Sequence, residues 1–517
     1  MEWKKPTEAT SLVGSTSEEP TGAYARRRIY ISYLAPAFAS FLYGYDIGAT
    51  SGAVASCGLF AATLGGHMST LMTSVITSAS VLGALIASMI AFYVGDPLGR
   101  RRQLMLGSVC YLTGTIGTQA AALEVVQGHA HFWVVFAFRL VYGLGIGFSM
   151  HSAPLYIAEI APADVRGFLI ALKEGFIALG IAAGFLLIAV LDASSIPPQH
   201  HWRITWAVPG VVALGVLGLL ACYAPPSPRW LMRMKRPGEA RAALSFLRPA
   251  ASADTLSEEV GLMHAASGAD DALPAPDASS GCGPCRASER VEWTTLLRAR
   301  RPLIAGLGLI FLQQLTGQPT VLYYANAIFR HAGLSSDAAA LSGVIIGASK
   351  FVATLACVPL VDRAGRRPLL LVGITTMLIA LVLLAAVFGA TGGALSEGGP
   401  AGTAVLVGFF MYVTGYQIGF GPISWVLIAE VFPLRSRARA LGMAVVANFA
   451  LNLLNTITNG PLVDTVGQAA LFGFYGGMCV IALGFVHLCV PETKGKTLEE
   501  IEEMMKHASV PSMEDMT

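Results

Sequence analysis

Charge is scarce in this sequence: Lys, Arg, Asp and Glu make up 13% of its 517 residues, against 54% hydrophobic. That much apolar surface exceeds what one soluble core could hide, so lipid is the expected solvent. The 34 basic and 32 acidic residues nearly cancel to a net charge of +2, which excludes a broad basic surface for nucleic acid. Paired cysteines are lacking too. Most stand singly inside apolar runs (Cys110, Cys222, Cys357, Cys479, Cys489), where they read as small buried hydrophobes and imply no disulfide framework. Cys282 and Cys285 spell CGPC, the letters of a thioredoxin-type redox pair, but nothing nearby alternates strand and helix as that fold requires. There is no P-loop, no metal-ligand cluster and no nucleophile beside a base, so neither an enzyme nor a metal or cofactor is expected. The first 28 residues contain Glu2, Glu8, Glu18 and Glu19 and no apolar stretch, so a cleaved secretory signal or a transit peptide is not expected.

Long apolar runs, by contrast, are plentiful. Stretches of about 20 residues, enough to cross ~30 Å of hydrocarbon, lie near 30–52, 70–93, 104–122, 132–153, 168–191 and 204–224. Further stretches lie near 303–329, 339–361, 368–390, 402–428, 440–462 and 469–490. Basic clusters (Arg26–Arg28, Arg100–Arg102, Arg166, Arg229–Arg248, Arg298–Arg301, Arg363–Arg367, Arg435–Arg439, Lys494–Lys496) occupy every alternate loop and both tails. The positive-inside tendency then places both termini and the long middle segment in the cytosol. The organisation expected is a tail at 1–28, a helical bundle at 29–224, a linker at 225–301, a second bundle at 302–491 and a tail at 492–517. The linker, rich in Ala, Ser, Pro, Gly and Asp, cannot bury enough apolar area to fold alone, although short helices near Glu239–Leu247 are expected.

The two bundles repeat each other. GDPLGRRR (95–102) aligns with VDRAGRRP (361–368), and Pro225–Pro228 with Pro491–Lys494, both at an offset of 266 residues. YIAEIAPADVR (156–166) aligns with LIAEVFPLRSR (427–437) at an offset of 271. Parallel six-span units around a midplane site that rock to expose it alternately are a transporter architecture.

At this point the residues resemble a family. GRR after the second and eighth spans, PPSPRW (225–230), QQLTGQ (313–318), GPISW (421–425) and PETKG (491–495), in this order, are similar to the sugar porter family of the major facilitator superfamily. GYDIGATSG (44–52), LKE (172–174) and GQP (317–319) look most like its plant and algal branch of proton-coupled hexose or xylose transporters. The resemblance implies an all-α membrane protein with a major facilitator fold, twelve transmembrane helices in two pseudo-symmetric six-helix bundles. It also implies a monosaccharide and a proton as partners and a monomer in the lipid bilayer, in the plasma membrane, the vacuolar membrane or another internal one.

Asp46 lies inside the first span, where a carboxylate costs on the order of 2.5–3.5 kcal/mol on insertion scales and needs a partner or a task. The resemblance places the proton-accepting Asp of its symporters at this GYD position and makes Arg139 its partner. A guanidinium favours the carboxylate and burial favours the acid, so separating the two would let Asp46 take up a proton. For the sugar, whose hydroxyls both donate and accept and whose C–H faces stack on rings, family position points to Gln313, Gln314, Gln417, Trp425, Asn448 and Asn452. Tyr323 and Tyr324 are candidates that could equally gate the outer side. Asn448 and Asn452 share one helical face.

Several positions depart from the family pattern. Glu174 stands where sugar porters usually have Gln, Lys350 where they often have Asn, Pro319 for Asn and Gln417 for Glu. Counting along the helices, Glu174 sits ~12 Å in from Arg166 and Lys350 ~18 Å in from Asp362, so an ion pair across the halves is within reach. The alternative is that Lys173 neutralises Glu174, although helix neighbours diverge by about 100°. Either way the cavity is expected to carry no excess of one sign, which argues against an organic ion as cargo. At the cytosolic side, Arg100, Arg101, Glu159 and Arg166, with Asp362, Arg363, Arg366, Arg367, Glu430, Arg437 and Glu492 in the second half, resemble the family's inner gate. Pro97 and Pro226 interrupt the first-half set, so that latch is expected to be the weaker. The function expected is proton-coupled symport of a hexose or pentose. The alternatives are a facilitative uniporter, with Asp46 structural, and a non-transporting sugar sensor signalling through 225–301.

Overall fold

The computed structural model describes residues 26–55, 69–120, 129–197, 200–249, 251–271, 299–391, 399–432, 437–496 and 498–507. Six long helices form the first half: α1 (Arg26–Ala55), α2 (Thr70–Leu98), α3 (Arg100–Ala120), α4 (His129–Ile160), α5 (Ala163–Asp192) and α6 (His201–Cys222). Three helices follow, α7 (Pro228–Arg233), α8 (Pro237–Leu247) and α9 (Ala253–Asp271). In the second half the first span is broken into α10 (Arg300–Leu315), α11 (Gln318–Tyr323) and α12 (Ala325–His331). Then come α13 (Ser336–Ala364), α14 (Arg366–Thr391), the two-piece span α15 (Pro400–Ile418) and α16 (Phe420–Val431), α17 (Arg437–Cys489) and the amphipathic α18 (Leu498–His507).

Among the described residues, eight helices are long and apolar enough to cross a membrane by length and composition. The twelve runs of the sequence are more numerous for local reasons. α1 carries Asp46 and four tyrosines, and α3 opens on three arginines, so both fall short in hydropathy. α10 is cut short by the break in its span, and α17 joins two spans across Gly467, whose φ of 82° is not helical. In lipid every backbone group needs an internal partner. The break at Gly317 (φ 94°) is therefore answered by Tyr412, whose hydroxyl donates to the Thr316 carbonyl at 3.1 Å. A Cβ at Gly317 would stand 2.5 Å from the Tyr475 ring, which leaves glycine alone able to make this bend.

Within the first half, α1 packs on α5 and α4 on both α2 and α3. The crossings are glycine seams. A Cβ at Gly44 would lie 1.9 Å from the Ile177 carbonyl oxygen, and one at Gly143 2.0 Å from that of Ser80, so these backbones touch directly. The halves meet where α5 lies on α13, α2 on α17, and α1 on α11 and α12. The internal repeat is visible in detail: Gly99 and Gly365, 266 residues apart, both have positive φ (81° and 95°) before an Arg-led helix. Arg166 and Arg437 each reach back five residues, to the carbonyls of Ala161 and Phe432.

Arg28 holds α8 against α1, donating to the Phe246 carbonyl at 2.9 Å with its guanidinium over the Phe246 ring. α9 differs from the sequence expectation, because it continues to Asp271 into a run read as structureless. Its buried Leu256 and an ion pair from Arg248 to Glu259 at 3.0 Å hold its first turns. Residues 1–25, and with them most of the N-terminal tail, as well as Cys282 and Cys285, lie outside the described residues.

Candidate functional site

Asp46 falls between Gly44 and Gly48, whose faces are pressed on α5. A residue two positions from each is turned about 200° away. This aims the carboxylate at α2 and α4, where it meets Arg139. Asp46 and Arg139 are each 2% exposed. One guanidinium nitrogen donates to Asp46 Oδ1 and the other to Oδ2 at 3.3 Å, a bidentate arrangement. Two hydroxyls complete it. Ser80 donates to Asp46 Oδ2 at 2.8 Å and accepts from Arg139 at 3.1 Å, and Thr50 accepts from Arg139 at 2.9 Å. The Gly143 seam explains the fit of Ser80. Arg139 and Gly143 share a face of α4, and only a bare glycine lets the Ser80 backbone approach that face. The Trp206 ring covers the guanidinium, 4.8 Å from its centroid.

Beside this pair is a cavity between the halves of about 570 Å³, counting the solvent space at its mouth. Of the sequence candidates, Glu174, Gln313, Gln314, Lys350, Gln417, Trp425 and Asn448 all line it. Gln313 donates to the Phe420 carbonyl at 2.9 Å, at the point where the GFGP run splits α15 from α16. Gln314 donates to Asn448. The side-chain oxygens of Gln313, Gln314 and Gln417 are buried and have no hydrogen-bond partner among the described residues, which leaves three acceptors unsatisfied beside the cavity.

Three candidates sit elsewhere. Asn452 is buried but faces its own helix, accepting from Thr456 at 3.1 Å. Tyr324 turns away from the cavity and donates to the Thr456 carbonyl at 2.9 Å, with Ser74 of α2 at 3.3 Å, so it ties the halves together. Tyr323 is fully buried and does not line the cavity. The expected ion pair between Glu174 and Lys350 is not made. Glu174 pairs with its neighbour Lys173 at 2.8 Å, because a four-carbon side chain can curl across the helix surface even where the Cβ vectors diverge. Tyr43, Gln318 and Tyr416 also line the cavity and were not picked out from the sequence. Tyr43 and Tyr416 adjoin motif residues, which was the available signal.

At the basic end of the bundle the two halves differ. In the first, Arg100 pairs with Glu159 at 3.1 Å, while Arg101 donates to the Leu220 and Ala221 carbonyls. In the second, Arg366 pairs with Glu430 at 2.9 Å, Thr493 donates to Glu430 at 2.7 Å, and Lys494 donates to the Arg363 carbonyl. Arg367 donates to the His487 carbonyl at 2.5 Å. Glu492 caps the start of α14, accepting from the Arg366 and Arg367 amides at 3.1 Å. Pro226, the residue at the matching place in the first half, has no carboxylate for this role. The side chain of Asp362 lies outside the described residues.

Burial pushes the Glu492 carboxyl up, but the backbone amides of Lys494, Arg366, Arg367 and Thr493 outweigh it and hold the group below its ordinary value of 4.5. A carboxyl lowered on folding contributes stability that is fully present above its unfolded value and is lost as pH falls through the folded one. The expected result is that the thermal midpoint of the detergent-solubilised protein exceeds that of Glu492→Gln at pH 6–8 by a constant amount. The gap then closes below the ordinary value of 4.5. A gap that stays constant down to pH 3 would contradict this.

Comparison with known proteins gives a consistent picture. The sequence model of the family described as "Sugar (and other) transporter" matches residues 33–505. The chain is 38% identical over 491 residues to "D-xylose-proton symporter-like 1" of Arabidopsis thaliana, covering 91% of this chain and 89% of the relative. It is also 38% identical over 511 residues to "D-xylose-proton symporter-like 3, chloroplastic" of the same plant, covering 95% and 85%. Among solved structures, the proton:xylose symporter XylE, bound to 6-bromo-6-deoxy-D-glucose, aligns with a TM-score of 0.73 at 26% identity, over 93% of this chain and 100% of that one.

Proposed function

The chain belongs to the sugar transporter family, and from that premise we propose that this multi-pass membrane protein is a proton-coupled symporter of a monosaccharide, a hexose or pentose, working by alternating access. The observation that carries the proposal is the buried Asp46–Arg139 pair, set beside the polar cavity on a shared helix. Asp46 stands on α1 between Tyr43 and Ile47, both of which line the cavity. Protonation of Asp46 removes the charge that holds Arg139, Ser80 and Thr50 in one cluster, and so loosens α1 from α2 and α4. Sugar on Gln313, Gln314 and Asn448, stacked on Trp425, draws the second half towards that same helix. Each ligand thereby acts on a rearrangement the other needs, which is linkage. The basic end faces the cytosol, and the clusters around Glu159 and Glu430 form the inner gate.

The test is uptake of labelled xylose, glucose and galactose by a transport-deficient host, with and without a protonophore. Accumulation above equilibrium that collapses with the protonophore is expected. Asp46→Asn should abolish accumulation while leaving equilibration across the membrane. Equilibration that ignores the protonophore in the unaltered protein would make it a uniporter, and accumulation by Asp46→Asn would remove Asp46 from the coupling.

A further inference from the structure

The charges around the sugar cavity do not cancel. Glu174 is already neutralised by Lys173 at 2.8 Å. Lys350, on α13 of the other half, is 6% exposed, and among the described residues no carboxylate stands within ion-pair distance of its ammonium. Its close neighbour is the Tyr416 ring, 4.9 Å from the nitrogen to the centroid, and the field of Glu174 reaches it without a direct contact. A buried ammonium held by a ring and a distant, shared carboxylate is costly and favours an anion. The same cavity is lined by Gln313, Gln314 and Gln417, whose side-chain oxygens have no hydrogen-bond partner among the described residues and would accept from hydroxyl donors. Glu174 also lines the cavity, but its charge is taken up by Lys173, so the cation left over and the three acceptors match a polyhydroxylated ring bearing one carboxylate.

We infer that the preferred cargo is a sugar acid, a pyranose uronate, with its carboxylate on Lys350 and its hydroxyls on the three glutamines. This rests on the reading of the chain as a monosaccharide symporter and narrows its substrate class. It also sets the electrical character of transport: a uronate carrying one negative charge, moving with one proton, transfers no net charge, whereas a neutral sugar moving with a proton transfers one.

Counterflow in proteoliposomes needs no proton gradient and so tests cargo separately from coupling. The probes are D-glucose, D-xylose, D-glucuronate and D-galacturonate. One of the uronates should exchange with a half-saturation about tenfold or more below that of either neutral sugar, the scale of one charge-assisted hydrogen bond. Lys350→Gln should reduce that preference ratio by about tenfold, and Lys350→Arg, which keeps the charge, should retain its direction. Gel filtration of both variants checks folding. Under a proton gradient, uronate uptake should not respond to an imposed membrane potential. Equal half-saturations in the unaltered protein, or a ratio indifferent to Lys350→Gln, would overturn the inference. Exchange of neutral sugars without uronates would overturn it and leave the sugar transporter intact, and exchange of none of the four would overturn both.

Discussion

Replacing Arg139 by alanine is expected to destabilise the folded protein by about 3–5 kcal/mol, the cost of leaving one member of a buried ion pair without its partner. The size follows from the surroundings. The Asp46 carboxylate is 2% exposed and would retain only Ser80 and Thr50. Two hydroxyls cannot replace a bidentate guanidinium. The double variant Arg139→Ala with Asp46→Asn removes the stranded charge and should recover most of the loss. The thermal midpoints of the single and double variants, read by fluorescence-detected gel filtration, measure the difference. Equal midpoints for Arg139→Ala and the double variant would mean that the carboxylate is already protonated or solvated in the unaltered protein.

A second large effect is expected at Gly143. Any side chain there meets Ser80 backbone within 2.8 Å at three atoms, and backbone cannot swing aside as a flexible side chain can. Gly143→Val should therefore force α4 off α2, separate Ser80 from Arg139, and leave little monodisperse protein. Gly218 on α6 is the contrast, since a Cβ added there has nothing within 4 Å. Gly218→Ala should be neutral or stabilising by up to about 1 kcal/mol, from helix propensity alone. If both variants behave alike in gel filtration and thermal midpoint, the seam does not constrain the fold.

The spans and the repeat were legible in the sequence from apolar length and duplicated letters, and an isolated charge that lipid will not tolerate marked Asp46, while Arg139 as its partner came from the family resemblance. Ser80 and Thr50 were not. Hydroxyls in membrane helices commonly bond their own preceding carbonyls, as Ser40 and Thr77 do here, so residue type alone does not single out the two that face a charge. The partner of Glu174 was left open because helical angles describe where Cβ atoms point, while a lysine ammonium travels several ångströms beyond them. Asn452 shows the converse. Its spacing from Asn448 places both on one face, yet the hydroxyl of Thr456 holds its side chain along the helix rather than in the cavity.

The short helices at the basic end are divided between the halves. α7 touches α4 and α8 touches α1, whereas α18 rests on α16 and α10. Each half thus carries its own short helices at the basic end, and the rocking proposed for the bundles would change the distance between these two handles. A soluble protein gripping both would bind one arrangement better than the other. By reciprocity of coupling, its affinity and that of the sugar would then shift by the same factor.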